Sequence, residues 1–456
     1  MPRNIRPRKE RPFTRVLRSF CASLLLVCTL LSLVPAAHAV SDPDGLTSEA
    51  CLIYNIETDK ILFEKAIDKP VYPTATVKIM TGLLALEYYQ DDLDVLVPVT
   101  DEAISGVYGT TSINLVAGEE ISARNLLYAL LVLGANDAAC VLAYNIGGNL
   151  TAFVNMMNER AQKIGCKNTV FTNCTGIHDN NMVTTARDML KIAQYAYNNS
   201  NFMAMSSMDS YTIPATNKRY ERILYNRNYI VSTQYYTKYY NPLAKGMCSG
   251  NTKEGGYCLV TTIRKSGCTY IIICMHSYFN EEENYVYSYN DCKVLIDWAY
   301  NNYDFVSVID TTTMVCELPV TLSTEVDYVT LLPEQPVEMF LPRDVDVSTA
   351  VTLHWFLLSD SIEAPIKEGQ IAGVLAVQYE DKLYATVDLV TKGNISRSEF
   401  LYFLSVIRNV VTSRPFFLCC IAALLIGVYY VLFTAVYRQK AKKRAEKRRQ
   451  PNLTRR

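Results

Sequence analysis

Histidine is scarce. His38, His178, His276 and His354 are the four in 456 residues, and none is spaced from another, or from a cysteine, as metal ligands are. No metal centre and no cofactor are expected. Seventeen prolines and 19 glycines are too few for a collagen-like or disordered chain. A mean hydropathy of only +0.05 excludes a polytopic transporter. A basic body is also missing. Lys+Arg total 44 and Asp+Glu 45, but residues 1–19 hold seven basic side chains and residues 438–456 hold ten, which leaves 27 basic against 43 acidic residues between them. Nucleic acid is a poor partner for so acidic a body. The length suggests about two to three folded units.

Both ends read as membrane signals. After the basic start, Phe20 to Val34 is an apolar run, followed by Pro35-Ala36-Ala37-His38-Ala39, with the small residues that signal peptidase requires. Residues 1–39 are expected to be a signal peptide cleaved after Ala39, an uncleaved signal anchor being the alternative. At the far end, Phe416 to Tyr437 carries no charge and is closed at once by the basic tail, 438–456. At about 1.5 Å per residue this run crosses a hydrocarbon core of about 30 Å, and the Lys/Arg cluster keeps the tail cytoplasmic. A single-pass membrane protein with an extracytoplasmic body is the expectation.

Between the ends the pattern mixes strands and helices. Leu52–Ile56 and Lys60–Glu64 flank Glu57-Thr58-Asp59 as a hairpin. Helical periodicity covers Val77–Tyr89, Ala123–Ile146, Leu150–Ile164 and Thr185–Asn198. Tyr257–Ile263 and Cys268–His276 are strands around Arg264-Lys265-Ser266-Gly267. Strands at both ends and helices between them predict an α+β domain at 42–303, an antiparallel sheet with a helical cluster packed on it. From 306 to 392 the segments are β-type, among them Val315–Leu322, Tyr328–Leu332, Ala350–Leu357 and Leu383–Val390, which suggests a small all-β domain. Ser396-Arg397-Ser398-Glu399 has capping-box form and opens an apolar helix, Phe400–Val411, within a juxtamembrane segment at 396–413.

Ten of the 14 cysteines fall in the exported part, where disulfides are permitted, yet a domain this large does not need them. Buried reduced thiols are the favoured reading. If the turn after Ile263 centres on Ser266, Cys258 and Cys274 face each other; a turn one residue different separates them.

Four blocks, Leu52–Glu87, Gly109–Asn149, Gly165–Tyr197 and Leu243–Val260, resemble successive parts of the serine D-alanyl-D-alanine carboxypeptidases. These are the peptidase S11 family, or low-molecular-mass penicillin-binding proteins. Val320–Val390 resembles that family's C-terminal β domain, closest at Ser361–Gly369 and Val387-Asp388-Leu389-Val390. The resemblance implies a β-lactamase/DD-peptidase-like domain with a small β domain and a C-terminal membrane helix. It also implies removal of the terminal D-Ala from the peptidoglycan stem peptide through an acyl-serine. The family does this with three motifs, S-x-x-K, S-x-N and K-T-G, that meet in one cleft.

Here each motif is altered. The first reads Ala75-Thr76-Val77-Lys78, keeping the general-base position at Lys78 and offering at Ala75 a methyl group that cannot form an ester. The second reads Gly134-Ala135-Asn136, with Asp137-Ala138-Ala139 after it; the amide stays and the hydroxyl is lost. The third reads Cys248-Ser249-Gly250, with Thr252–Val260 fixing its place; the second hydroxyl stays and the Lys is lost. Thr76 lies about 200° around a helix from Lys78, on the wrong face. Thr74, after Pro73, is expected as an N-cap whose hydroxyl is occupied by a backbone N–H. Lys245 sits three residues from Cys248, which along a strand turns it away. Cys248 is the one sharp alternative nucleophile, if Lys78 depresses its pKa; a small residue filling the place of a Lys is the plainer reading. His178, in a loop that resembles the family's, is expected to be structural, and Asn149-Leu150-Thr151 fits an N-glycosylation pattern that carries no weight in what resembles a bacterial protein.

Three functional readings follow from the resemblance. The first is a non-hydrolysing homologue that binds the peptidoglycan stem peptide or a cell-wall enzyme. The second is an active carboxypeptidase, and the third a structural spacer. Residue identity favours the first.

Overall fold

The computed structural model describes residues 40–380 and 382–448. The signal peptide expected at 1–39 and the tail residues 449–456 lie outside the described residues. The chain divides into two units, one ending at Asp304 and also holding Pro342–Asp344, the other formed by the remaining residues from Phe305 onward.

In the first unit, strands β1 (Ala50–Asn55) and β2 (Lys60–Lys65) form the expected hairpin. Its turn closes locally: Asn55 Oδ1 accepts from the Thr58 N–H and hydroxyl, and Tyr54 OH donates to Asp59. Strands β3 (Ala244–Thr252), β4 (Gly256–Lys265) and β5 (Cys268–Ser277) complete an antiparallel sheet in the order β2-β1-β5-β4-β3. The first strand of the chain therefore lies beside the last one of the sheet, with Cys51 opposite Cys274. All six residues of β1 are buried, without alternation. Such a run marks a strand covered on both faces, and helices supply the cover.

Those helices include α1 (Lys78–Tyr88), α2 (Ala123–Tyr128), α3 (Asn136–Gly147), α4 (Leu150–Ile164), α5 (Ala186–Tyr197) and α6 (Tyr287–Asn302). Asn149 and Thr185 cap α4 and α5 with their side chains, so Asn149-Leu150-Thr151 is a helix start. Phe153, Phe171 and Phe202 are fully buried in the core between helices, each contributing about 2–3 kcal/mol by its removal from water. The carboxylate of Asp291 on α6 accepts from the backbone N–H groups and hydroxyls of Thr47 and Ser48, which ties the entry to β1 to that helix.

Two expectations about this unit need correction. The helix expected over Ala123–Ile146 is broken: Ala129–Leu133 is a π-helical turn that ends at Gly134, and α3 starts afresh at Asn136. Apolar periodicity runs through the break and conceals it. The β4–β5 turn is the two-residue pair Ser266-Gly267, both at positive φ, and the register it imposes sets Leu259, not Cys258, opposite Cys274; a bulge follows only beyond that pair, between Leu259 and Tyr257. The nine described cysteines of this unit are free thiols, eight of them buried, and Cys316 of the second unit is free as well.

The second unit holds a six-stranded sheet of β6 (Cys316–Thr321), β7 (Tyr328–Pro333), β8 (Val351–Leu357), β9 (Ile362–Glu363), β10 (Ile371–Tyr379) and β11 (Lys382–Thr391), in the order β8-β10-β11-β7-β6-β9. Leu318, Val329, Leu331, Leu375, Val377 and Leu389 form its core. The central strand β10 was not anticipated, because its Ala372-Gly373 start and near-continuous burial give no alternation. Helix α7 (Glu399–Val411) is capped by Ser398, whose side chain accepts from Leu401 N, so the N-cap lies two residues after Ser396 and, with Leu401 at N3, the expected capping box does not form. Helix α8 (Arg414–Arg448) follows, and its residues 414–444 are long and apolar enough to cross a membrane.

Candidate functional site

The turn Thr74–Val77 is a 3₁₀ helix that runs directly into α1. Three residues per turn eclipse positions i and i+3, so Ala75 and Lys78 lie on one face of the turn. Thr74 is not the N-cap. Pro73 holds that place without a side-chain bond, and Thr74 sits at φ +50°, strained for a β-branched residue. Its hydroxyl points across to β3 and donates to Gly250 O at 3.3 Å. Thr76 Oγ1 closes the turn by donating to Pro73 O at 2.5 Å.

Lys78 is buried, and its Nζ donates to Thr175 O at 2.5 Å. Gly134 ends the π-helical turn at φ +73°, leaving room in front of α3. Asn136 opens α3, its N–H bonded to Thr111 O, and its Oδ1 is buried with no hydrogen-bond partner among the described residues. The carboxylate of Asp137 accepts from Ile113 N and Leu115 N, which fixes the loop before the site. On β3, Cys248 Sγ donates to Ala75 O at 3.2 Å. Ser249 Oγ donates to Arg227 O at 3.1 Å and accepts from Tyr289 OH at 2.9 Å. Gly250 passes so close that a Cβ there would lie 2.4 Å from that of Ala75.

Ala75, Lys78, Gly134, Asn136, Cys248, Ser249 and Gly250 thus line one cleft of about 670 Å³. Lys245 is exposed and does not line it; a bulge between Lys245 and Met247 breaks the strict alternation assumed for this strand. His178 packs edge-on against Tyr72 and bonds Asn180 at the cleft rim.

Burial drives the charge states. Desolvation lowers the Lys78 pKa from its ordinary value, favouring the free amine. Desolvation also pushes the Cys248 thiol up to about 11, outweighing the attraction of Lys78. Cys248 is therefore not a low-pKa nucleophile. Two features of the cleft escaped the sequence reading. Arg227 lies on its wall, exposed and with no acidic partner among the described residues. Tyr229, Tyr236, Tyr239 and Tyr289 form a ring-packed wall beside it. The density of tyrosines between 225 and 240 was the available signal; nothing local marks Arg227.

A buried lysine with one acceptor costs stability, and the sign of its pH dependence follows from its lowered pKa. Between the folded value and 10.5 the unfolded chain binds more protons than the folded one, so stability rises with pH and the cost fades. Lys78→Met should accordingly stabilise the protein by about 1–3 kcal/mol near pH 6. Thermal melts at pH 6, 8 and 10 check this: the advantage of the variant should shrink as pH rises, and one that stays constant or grows contradicts the buried, uncompensated lysine.

A lysine and an asparagine at the starts of two helices and the edge strand β3, converging on one cleft beside a five-stranded antiparallel sheet, define an α+β architecture of the penicillin-binding type, and solved structures share it. Penicillin-binding protein 5 from Haemophilus influenzae superposes with a TM-score of 0.55 at 23% identity, covering 78% of this chain and all of that one. A peptidoglycan synthesis regulatory factor from Streptococcus pneumoniae gives 0.58 at 18% identity, covering 77% and all of that chain. In sequence, residues 36–278 match the D-alanyl-D-alanine carboxypeptidase family, and residues 320–397 match the C-terminal domain of penicillin-binding protein 5. The Bacillus subtilis D-alanyl-D-alanine carboxypeptidase DacF is 25% identical over 397 residues, 85% of this chain and 97% of its own. An Escherichia coli D-alanyl-D-alanine endopeptidase is 31% identical over 238 residues, 49% of this chain and 69% of its own. The chain belongs to the D-alanyl-D-alanine carboxypeptidase family.

Proposed function

We propose that this chain is a non-hydrolysing member of its family that binds the D-Ala-terminated stem peptide of peptidoglycan at the outer face of the membrane. In this reading residues 1–39 are a cleaved signal peptide, 42–303 and 306–392 are exported domains, 416–437 span the membrane and 438–456 are cytoplasmic. The observation that carries it is the composition of the cleft. A methyl group stands at the nucleophile position, while two recognition groups remain available, the Oδ1 of Asn136, without a partner among the described residues, and the guanidinium of Arg227, without an acidic partner among them. Asn136 accepts an amide N–H of the peptide, and Arg227 receives its terminal carboxylate in place of the missing motif lysine. Lys78, held to Thr175 O, has no hydroxyl to deprotonate.

Calorimetric titration of the detergent-solubilised chain with diacetyl-Lys-D-Ala-D-Ala tests the reading. Binding is expected with a Kd between about 10 µM and 1 mM and without release of D-Ala. Arg227→Ala should weaken it about tenfold, as loss of an exposed carboxylate contact of about 1.4 kcal/mol does. Equal binding of the L-Ala-L-Ala peptide, or no saturable heat at millimolar peptide, sinks the proposal.

A further inference from the structure

Behind the cleft two thiols meet in the interior. Cys140 lies on α3 four residues after Asn136, and Cys174 lies in the loop that supplies Thr175 to Lys78. Their Sγ atoms are 3.8 Å apart across a sequence separation of 34 residues. Both side chains are buried, at 4% and 3% exposure. Yet both line a second, partly open cavity of about 340 Å³, walled also by Val107, Leu150 and Val154. Cys51 and Cys274 also face each other, across β1 and β5, but neither lines that cavity. Contact between two thiols and a route for a small reagent coincide at Cys140 and Cys174.

We propose that Cys140 and Cys174 are an oxidisable pair, converted to a disulfide when a small-molecule disulfide enters the adjoining cavity. Cys140 attacks first. The thiol–thiol hydrogen bond, aided by Lys78 nearby, holds Cys140 below the ordinary thiol value against burial and the Asp137 charge, whereas that bond and then burial push Cys174 up. The Cys140 thiolate attacks one sulfur of the reagent RSSR, forming a mixed disulfide and expelling RS⁻. The first RS⁻ takes the Cys174 proton, and the Cys174 thiolate then attacks Cys140 Sγ and expels the second. Two electrons pass from the two cysteines to one RSSR, which leaves as two RSH after protonation. The Sγ atoms, already in contact at 3.8 Å, close to about 2.05 Å as the bond forms. The bond ties the helix of Asn136 to the loop that holds Lys78, and it does not depend on the peptide-binding reading.

The test treats the reduced, detergent-solubilised full chain with 2-hydroxyethyl disulfide. The expected product is about 2 Da lighter, yields a Cys140–Cys174 cross-linked peptide, and melts about 5–10 °C higher, reversibly with dithiothreitol. Cys140→Ser and Cys174→Ser should each abolish the mass loss and the shift, with Cys174→Ala replacing a serine variant that does not fold. A cross-link mapping to any other pair, a mixed disulfide that persists on Cys140, or no reaction within hours overturns the proposal.

Discussion

Incubated with a fluorescent penicillin, the full-length chain should remain unlabelled, whereas the Ala75→Ser/Gly134→Ser/Cys248→Lys variant should take up close to one equivalent. The first half follows from chemistry alone, because the methyl of Ala75 has no oxygen to acylate and Cys248 is held as a neutral thiol bonded to Ala75 O. Ala75→Ser by itself should give little labelling, since the groups of such a site act as a unit and their effects do not add. Each restoration meets a different constraint. A side chain at Gly134 finds no atom within 4 Å, but at φ +73° it costs about 1–2 kcal/mol. A serine at position 75 must turn its hydroxyl away from Gly250, toward Lys78. A lysine at position 248 must extend into the cleft, because the space beneath is filled by the 3₁₀ turn. The variant should therefore fold with a lowered melting temperature and still be acylated. A variant that folds by circular dichroism yet takes no label would mean that the cleft geometry has diverged, and the stem-peptide reading would fall with it.

What could be read from the sequence was the part fixed by local pattern. Glu57-Thr58-Asp59 between two β-type runs announces the hairpin, and Asn149 and Thr185 sit where capping residues belong. The seven cleft positions were found because their flanks resemble a known family at three separated places, and the fold carries all three to one wall. Other features depend on long-range packing. The strained Thr74 is set by strand β3 and the Gly176 loop, both more than 100 residues away, and no local rule would place a β-branched residue at φ +50°. The π-helical turn at Ala129–Leu133 has the same apolar spacing as the helix it interrupts. Arg227 becomes part of the cleft only because its N–H pairs with Val132 O and its carbonyl accepts from Ser249. The Cys140–Cys174 contact joins segments whose spacing matches no disulfide or metal signature.

Gly176→Ala should be among the most damaging single substitutions in the molecule. Gly176 lies at φ +79°, and a Cβ there would stand 1.9 Å from Thr74 O, 2.5 Å from Thr74 C and 2.9 Å from Ala75 Cα. All three are backbone atoms, so no side-chain rotation relieves the clash; the 3₁₀ turn or the loop must move. Moving the loop takes Thr175 O with it and strips Lys78 of its acceptor. The left-handed conformation costs about 1–2 kcal/mol and the forced repacking about 1–3 more, a total of about 2–5 kcal/mol. Gly134→Ala is the matched control, with nearly the same φ of +73° and nothing within 4 Å, so it should cost only the conformational part. At about 2–4 °C per kcal/mol for a unit of this size, the melting temperature should fall by about 10 °C for Gly176→Ala and by about 3 °C for Gly134→Ala. Equal shifts for the two would show that the loop and the turn do not approach as closely as Gly176 requires. The packing that holds Ala75 over Lys78 would then need another explanation.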